Sequence, residues 1–314
     1  MADREKLWNI IKVLLKLTVT AVLLYLVFQK IDIGALKHLF LKSDFTYIFL
    51  SFVLYFFAAA IASIRNRIFL KNIGLDLKAG FNFRLYLLGM FYNVTLPGGI
   101  GGDGYKIYIL RKKFRLPTKR IFLAMLFDRL SGLWAIGLLA AFLILLLPQL
   151  MVPRMWLLFT LVAGTAIYYL LMRRFFGDFS HKFLQTHGLA LAVQAIHILI
   201  IIFILLSQNF DDKYSPYLFS FLIATLAANI PVSAPGGAGV REYIMIHASE
   251  FFNMDENQAV FICITYYIVG TLAALTGIWF IYRSKEFEPA PKQKEAIEFE
   301  KQRDKELNER ASQK

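Results

Sequence analysis

PGGIGGDGYK, Pro97 to Lys106, sets five glycines, an aspartate and a lysine within ten positions of a chain that is apolar on the approach to it. The spacing P-G-G-x-G-x-x-x-Y returns 138 positions later in PGGAGVREY, Pro235 to Tyr243. How these two stretches sit relative to a membrane decides the fold. Hydrophobic residues make up 58% of the 314 and mean hydropathy is +0.54, against about 45 to 50% apolar residues in soluble domains. The surrounding chain therefore reads as an all-α polytopic membrane protein.

Runs long enough to cross a hydrocarbon core, which takes about 20 residues, are Trp8–Phe28, Phe45–Ile64, Ile121–Leu147, Met155–Met172, Leu189–Ser207 and Ala259–Tyr282. They predict about six transmembrane helices. The first is too long for the apolar part of a signal peptide, about 7 to 15 residues, and no small-x-small cleavage site follows it, so it is expected to be retained. Two further apolar regions, Phe81–Leu110 and Pro216–Phe252, are each broken by a glycine motif. As a helix, the arm Phe81–Leu96 reaches about 24 Å, short of a core of about 30 Å. The returning arms turn polar at Arg111 to Lys113 and at Arg241, Glu242, His247 and Glu250. Both regions are expected to be re-entrant hairpins of broken helices.

Loop charge supports this topology. The most basic loops are 65–84, with Arg65, Arg67, Lys71, Lys78 and Arg84, and 106–120, with Lys106, Arg111, Lys112, Lys113, Arg115, Lys119 and Arg120. Basic loops stay in the cytoplasm, so the region between them must turn back. Three spans separate the hairpins, which makes the second enter from the opposite side. The chain then divides into a membrane domain, 1–282, built as an inverted repeat with halves about 8–147 and 155–282, and a charged tail, 283–314. The tail carries nine basic and eight acidic residues. Both termini are expected in the cytoplasm. The net charge of +13 sits largely in short loops, where it reports topology and not a nucleic-acid partner. A single cysteine, Cys263, allows neither a disulfide framework nor a cysteine metal site, and no metal or cofactor is expected.

Non-helical backbone at membrane depth is tolerated only when buried in protein or lining a wet cavity. Pro97, Gly98, Gly99, Gly101, Gly102 and Gly104, with Pro235, Gly236, Gly237 and Gly239, therefore imply a cavity. Glycine-rich backbone at helix ends presents N–H groups suited to an anion, although a tight turn needs the same glycines. Ionisable groups within spans default to function: Asp103, Lys106, Asp128, Arg129, Arg241 and Glu242 are the candidates. Asp128 and Arg129, about 100° apart on a helix, are not expected to pair with each other. Asp103 and Arg241 occupy equivalent positions in the two motifs, and an inverted site would bring them together as a gate or headgroup clamp. Asn93 and Asn229, just upstream of the motifs, are expected to cap freed backbone close to any ligand. His197 is expected to be a satisfied interior histidine, and Tyr168, Tyr169, Tyr266 and Tyr267 to belong to the interface belt. No H-E-x-x-H, G-x-S-x-G or Walker lysine pattern occurs, so no enzyme is expected.

The paired motifs NVTLPGGIGGDG (Asn93 to Gly104) and PVSAPGGAGVRE (Pro231 to Glu242), with Asp128-Arg129 followed by Gly132, resemble the lysylphosphatidylglycerol synthase transmembrane family. The resemblance covers about residues 8–282. It implies a flippase-like protein of a bacterial or archaeal inner membrane; in the name-giving enzymes this module moves an aminoacylated phospholipid between leaflets, while a separate soluble domain makes it. Related members are linked to hopanoid or glycolipid export. The 32-residue tail is too short for that soluble domain, so synthase activity is not implied. The expected partner is a membrane lipid with an anionic headgroup, held by the motif glycines, with Arg129 and Arg241 as counter-charges. An anion channel on the same broken helices, or a non-transporting companion of a lipid-synthesis enzyme, are the alternatives.

Overall fold

The computed structural model describes residues 32–95, 101–229 and 239–280, with the isolated positions 18, 25, 29 and 237. The expected first span and the tail fall outside the described residues, as do Pro97, Gly98, Gly99, Pro235 and Gly236 of the motifs. The described chain forms α1 (Ile33–Lys42), α2 (Phe45–Asn72), α3 (Ala79–Thr95), α4 (Gly101–Phe114), α5 (Thr118–Ile144), α6 (Arg154–Phe175), α7 (Phe183–Leu206), α8 (Tyr214–Ala228), α9 (Val240–Phe252) and α10 (Glu256–Leu275). A 3-10 segment, Thr276–Phe280, prolongs α10. Among the described residues, α2, α5, α6, α7 and α10 with its extension are long and apolar enough to cross a membrane, and they match the five expected spans that can be compared.

Local sequence sets the helix starts. Asp44 accepts the Thr46 N–H at 2.8 Å to begin α2, and Asp255 accepts the Gln258 N–H at 2.6 Å to begin α10, each satisfying a donor the first turn leaves orphaned. One boundary differs from expectation. Helix α2 continues past Ile64 to Asn72, because Ile68, Phe69 and Leu70 carry the apolar face onward and bury it. Arg65 is therefore inside a long helix, not in a basic loop.

The central seam is the antiparallel pair α2 and α7. The Asp44 N–H donates to the Ser207 carbonyl at 2.9 Å, Ser51 lies opposite Ile200, Tyr55 meets the His197 ring, and Ala58 and Ala62 pack on Val193. Between helices surrounded by lipid, association rests on close van der Waals packing, which small residues permit.

Each glycine motif turns a helical hairpin. In the first, α3 and α4 run antiparallel: Gly102 lies against Gly89, Tyr105 against Tyr92, and Phe114 against Phe81. A Cβ on Gly102 would sit 1.8 Å from the Gly89 carbonyl oxygen, so only glycine allows the arms to touch there. In the second, α8 and α9 are likewise antiparallel, with Gly237 against Ala228 and Phe219 against Phe252. Gly237 has a φ of +78°, a left-handed conformation that glycine adopts without steric cost.

The hairpins occupy opposite ends of the long helices. The first shares a core with the C-terminal part of α2 and the N-terminal part of α5, through Phe69, Leu70, Leu85, Leu88, Leu110 and Ile121. The second shares one with the C-terminal parts of α5 and α7, through Ile136, Leu143, Ile204, Phe221 and Met245. Exchanging α2 with α7, α3 with α8, α4 with α9 and α5 with α10 maps the main packing pairs onto one another: hairpin one packs on α10, and hairpin two packs on α5. The fold is an inverted repeat in its contacts as well as in its motifs.

Candidate functional site

A polar cavity of about 190 Å³ lies where the two hairpins approach each other, lined among others by Arg65, Tyr86, Asn93, Asp103, Lys106, Asp128, Arg129, Gln194 and Asn229. Five of these residues are charged, and four of the five are buried: Arg65 at 6% exposure, Lys106 at 5%, Asp103 at 8% and Asp128 at 6%. Charges removed from water persist only when paired and hydrogen-bonded.

The pairing forms two linked groups. Asp103, in the first turn of α4, receives Lys106 Nζ on Oδ1 at 2.7 Å and Arg129 Nε on Oδ2. Lys106 is one turn beyond Asp103 on the same helix, and its ammonium also lies 5.0 Å from the centre of the Tyr86 ring. Asp128 of α5 receives Arg65 Nε at 2.7 Å and Asn66 Nδ2 at 3.3 Å, both from α2. Asp128 and Arg129 thus serve different partners, as their angular separation requires. Three cations against two carboxylates leave one net positive charge on the lining. Arg65 Nη1 has no hydrogen-bond partner among the described residues and faces Gly132, where an added Cβ would lie 3.6 Å from it. Arg65, Lys106 and Arg129 are thus the cationic groups that an anionic oxygen in this cavity would meet.

Asn93 behaves as its position implied: its Oδ1 accepts the Gly102 N–H at 2.9 Å, capping α4 across the turn. Asn229 donates to the Thr225 carbonyl at 2.8 Å and lines the cavity from the second hairpin. Gly101 and Gly102 stand at the start of α4.

Arg241 and Glu242 lie in the second hairpin. Glu242 accepts the Gly239 N–H at 2.7 Å, which ties its carboxylate to the start of α9. The expected meeting of Asp103 with Arg241 does not occur. The Asp103 carboxylate is occupied by Lys106 and Arg129, whereas the buried Arg241 guanidinium lies over the Phe221 and Tyr266 rings at 5.5 and 5.1 Å. Tyr266 is correspondingly not an interface-belt residue: it is 8% exposed, and its hydroxyl meets His197 Nδ1 at 2.9 Å. His197 is partly buried and satisfied by that bond.

Sequence reasoning missed Arg65, Asn66, Tyr86 and Gln194 as neighbours of the candidate residues. The signal for Arg65 was present in Ile68-Phe69-Leu70, which continue the apolar helix beyond it. The assignment of Lys106 to a cytoplasmic loop is also corrected, since its side chain is buried in the cavity wall.

No curated protein matches the chain. The sequence profile described as "Lysylphosphatidylglycerol synthase TM region" matches residues 13–277. A multi-pass helical fold with paired glycine hairpins, and a match over most of its length, place this chain in the lysylphosphatidylglycerol synthase transmembrane family.

Proposed function

We propose that the protein moves an anionic membrane lipid between leaflets, with the headgroup passing through the polar cavity between the hairpins. The observation that carries this reading is the cavity lining: buried, net positive by one charge, and built from both hairpins of a membrane-spanning fold. A phosphodiester supplies one negative charge and acceptor oxygens, which guanidinium and ammonium groups satisfy. Arg65 Nη1, Lys106 and Arg129 are the proposed phosphate donors, with the motif glycines and both asparagines shaping the turn around it. Asp103 holds Lys106 and Arg129 until phosphate competes for them, which makes it the gate. Arg241 is the counter-charge of the other half. The membrane part performs no covalent step in this reading, lies in an inner membrane with both termini in the cytoplasm, and receives its lipid from a separate synthetic enzyme. The units 1–282 and 283–314 are a translocating domain and an accessory tail.

The test is transfer of a fluorescent phosphatidylglycerol across vesicles reconstituted with the purified protein, read by chemical quenching of the outer leaflet. Lys106→Gln and Arg129→Gln are each expected to lower the rate at least tenfold while circular dichroism and elution volume stay unchanged. Transfer at the wild-type rate in both variants would remove the headgroup role from this cavity. The modest volume of about 190 Å³ also suits a small inorganic anion. Chloride flux in lipid-transfer-inactive vesicles would favour that second reading.

A further inference from the structure

A second cleft lies on the other side of α5. It has a volume of about 850 Å³ and separates α6 from the rest of the bundle. Its walls are Trp134 and Leu138 of α5, Leu161 and Tyr169 of α6, and Phe183 of α7. Residues 132, 133 and 136 of α5 line the polar cavity, whereas 134 and 138 line this cleft, so the two spaces are separated by the thickness of one helix. Helix α6 touches α5 along little of its length, and a hydrogen bond from Trp134 Nε1 to Thr165 Oγ1 at 3.0 Å bridges them. Among its residues only Leu157 and Met172 are buried.

The cleft is apolar along the helices and polar at one end. That end carries His181, Lys182 and Gln185, all exposed. It lies at the same end of the bundle as the base of the first hairpin, because Phe179 contacts Phe69 and Phe127 there. Helix α7 starts at Phe183 without a side-chain cap, so its first N–H groups point toward this end with the positive end of the helix dipole. An apolar slot at membrane depth, ending in a lysine, a histidine and uncapped amides, is complementary to a single amphiphile.

We infer that this cleft is a binding site for an anionic phospholipid, whose acyl chain lies against Trp134, Leu138 and Tyr169 and whose phosphate rests on Lys182 and the start of α7. The site is separate from the headgroup cavity and does not depend on translocation. Its lipid fills the gap that direct packing leaves between α5 and α6, and so holds α6 against the bundle.

The test uses a variant whose other tryptophans, Trp8, Trp156 and Trp279, are phenylalanine, reconstituted in vesicles containing phospholipid brominated on the acyl chain. Brominated phosphatidylglycerol is expected to half-quench Trp134 at a mole fraction about fivefold lower than brominated phosphatidylcholine, the preference that one lysine near a membrane supplies. Lys182→Gln, at an exposed position, is expected to abolish most of that preference without changing the melting temperature. Equal quenching by both lipids, before any substitution, would overturn the site as selective for an anion. So would an undiminished preference in Lys182→Gln. Absence of quenching by either lipid would show that protein fills the cleft, whether a second copy or another segment of this chain, and would equally overturn the inference.

Discussion

At the scale of single residues, the cavity depends on charges that compensate one another. Removing one partner of a buried pair leaves an uncompensated charge and costs about 3 to 5 kcal/mol. Asp128→Asn is therefore expected to lower the thermal midpoint in detergent markedly, by stranding Arg65, whereas Arg65→Met combined with Asp128→Leu should recover most of the loss. Equal destabilisation in the single and double variants would show that Asp128 matters through something other than this pair. Two neighbouring glycines offer a sharper contrast. A Cβ on Gly102 would meet the Gly89 carbonyl at 1.8 Å, whereas one on Gly104 meets nothing within 4 Å. Gly102→Ala is expected to destabilise by about 1 to 3 kcal/mol through overpacking, and Gly104→Ala to be neutral or to stabilise by about 0.5 to 1 kcal/mol. Thermal denaturation of both variants, side by side, decides whether the glycines of this motif are equivalent.

At the scale of elements, the two hairpins have their bases at opposite ends of the bundle. Single cysteines at Lys78 and Lys213, in a background with Cys263→Ala, are expected to react with an impermeant thiol reagent from opposite sides of the membrane. Labelling of both from one side would rule out inversion. At the base of the first hairpin, Asp76 bonds Lys71 Nζ at 2.7 Å and Arg67 Nη2 at 3.1 Å. The Lys71 hydrogen bond, with Arg67 beside it, holds the Asp76 carboxyl below its ordinary range. A depressed carboxyl contributes its stability above the unfolded value of about 3.9 and loses it as pH falls through the lower folded value. This exposed clasp is therefore intact at neutral pH and released only in strong acid. The hairpins themselves were legible in the sequence, because arms too short to span and basic loops on both sides leave a chain no other course. The side-chain partners were not legible. Nothing in the spacing of Asp103 and Arg241 reveals that Lys106, one turn along the same helix, and Arg129, one helix away, reach the carboxylate first. Arg65 was hidden for a related reason: a charge after an apolar run reads as a loop until the next apolar turn is weighed against it.

For the molecule as a whole, packing of each hairpin on the other half's helix means that neither half is complete alone. Deletion of residues 284–314 is expected to leave lipid transfer in vesicles within about twofold of wild type, and a complete loss would instead favour the reading of the protein as a companion of a lipid-synthesis enzyme. The repeat is symmetric in shape but not in charge. Three cations and two carboxylates gather around the first hairpin, whereas Arg241 in the second lies over aromatic rings. For the lipid transfer proposed above, such an imbalance determines where along its route an anion dwells longest. It cannot set the direction of net flow, because a passive path must be traversed equally in both senses at equilibrium. Any preferred direction must come from outside the molecule, through supply of lipid on one leaflet or through a membrane potential acting on the moving charge at about 2.3 kcal/mol per 100 mV. On the proposed function, an inverted repeat of this kind is a two-way passage with an electrical resting place, and its rectification belongs to the cell around it.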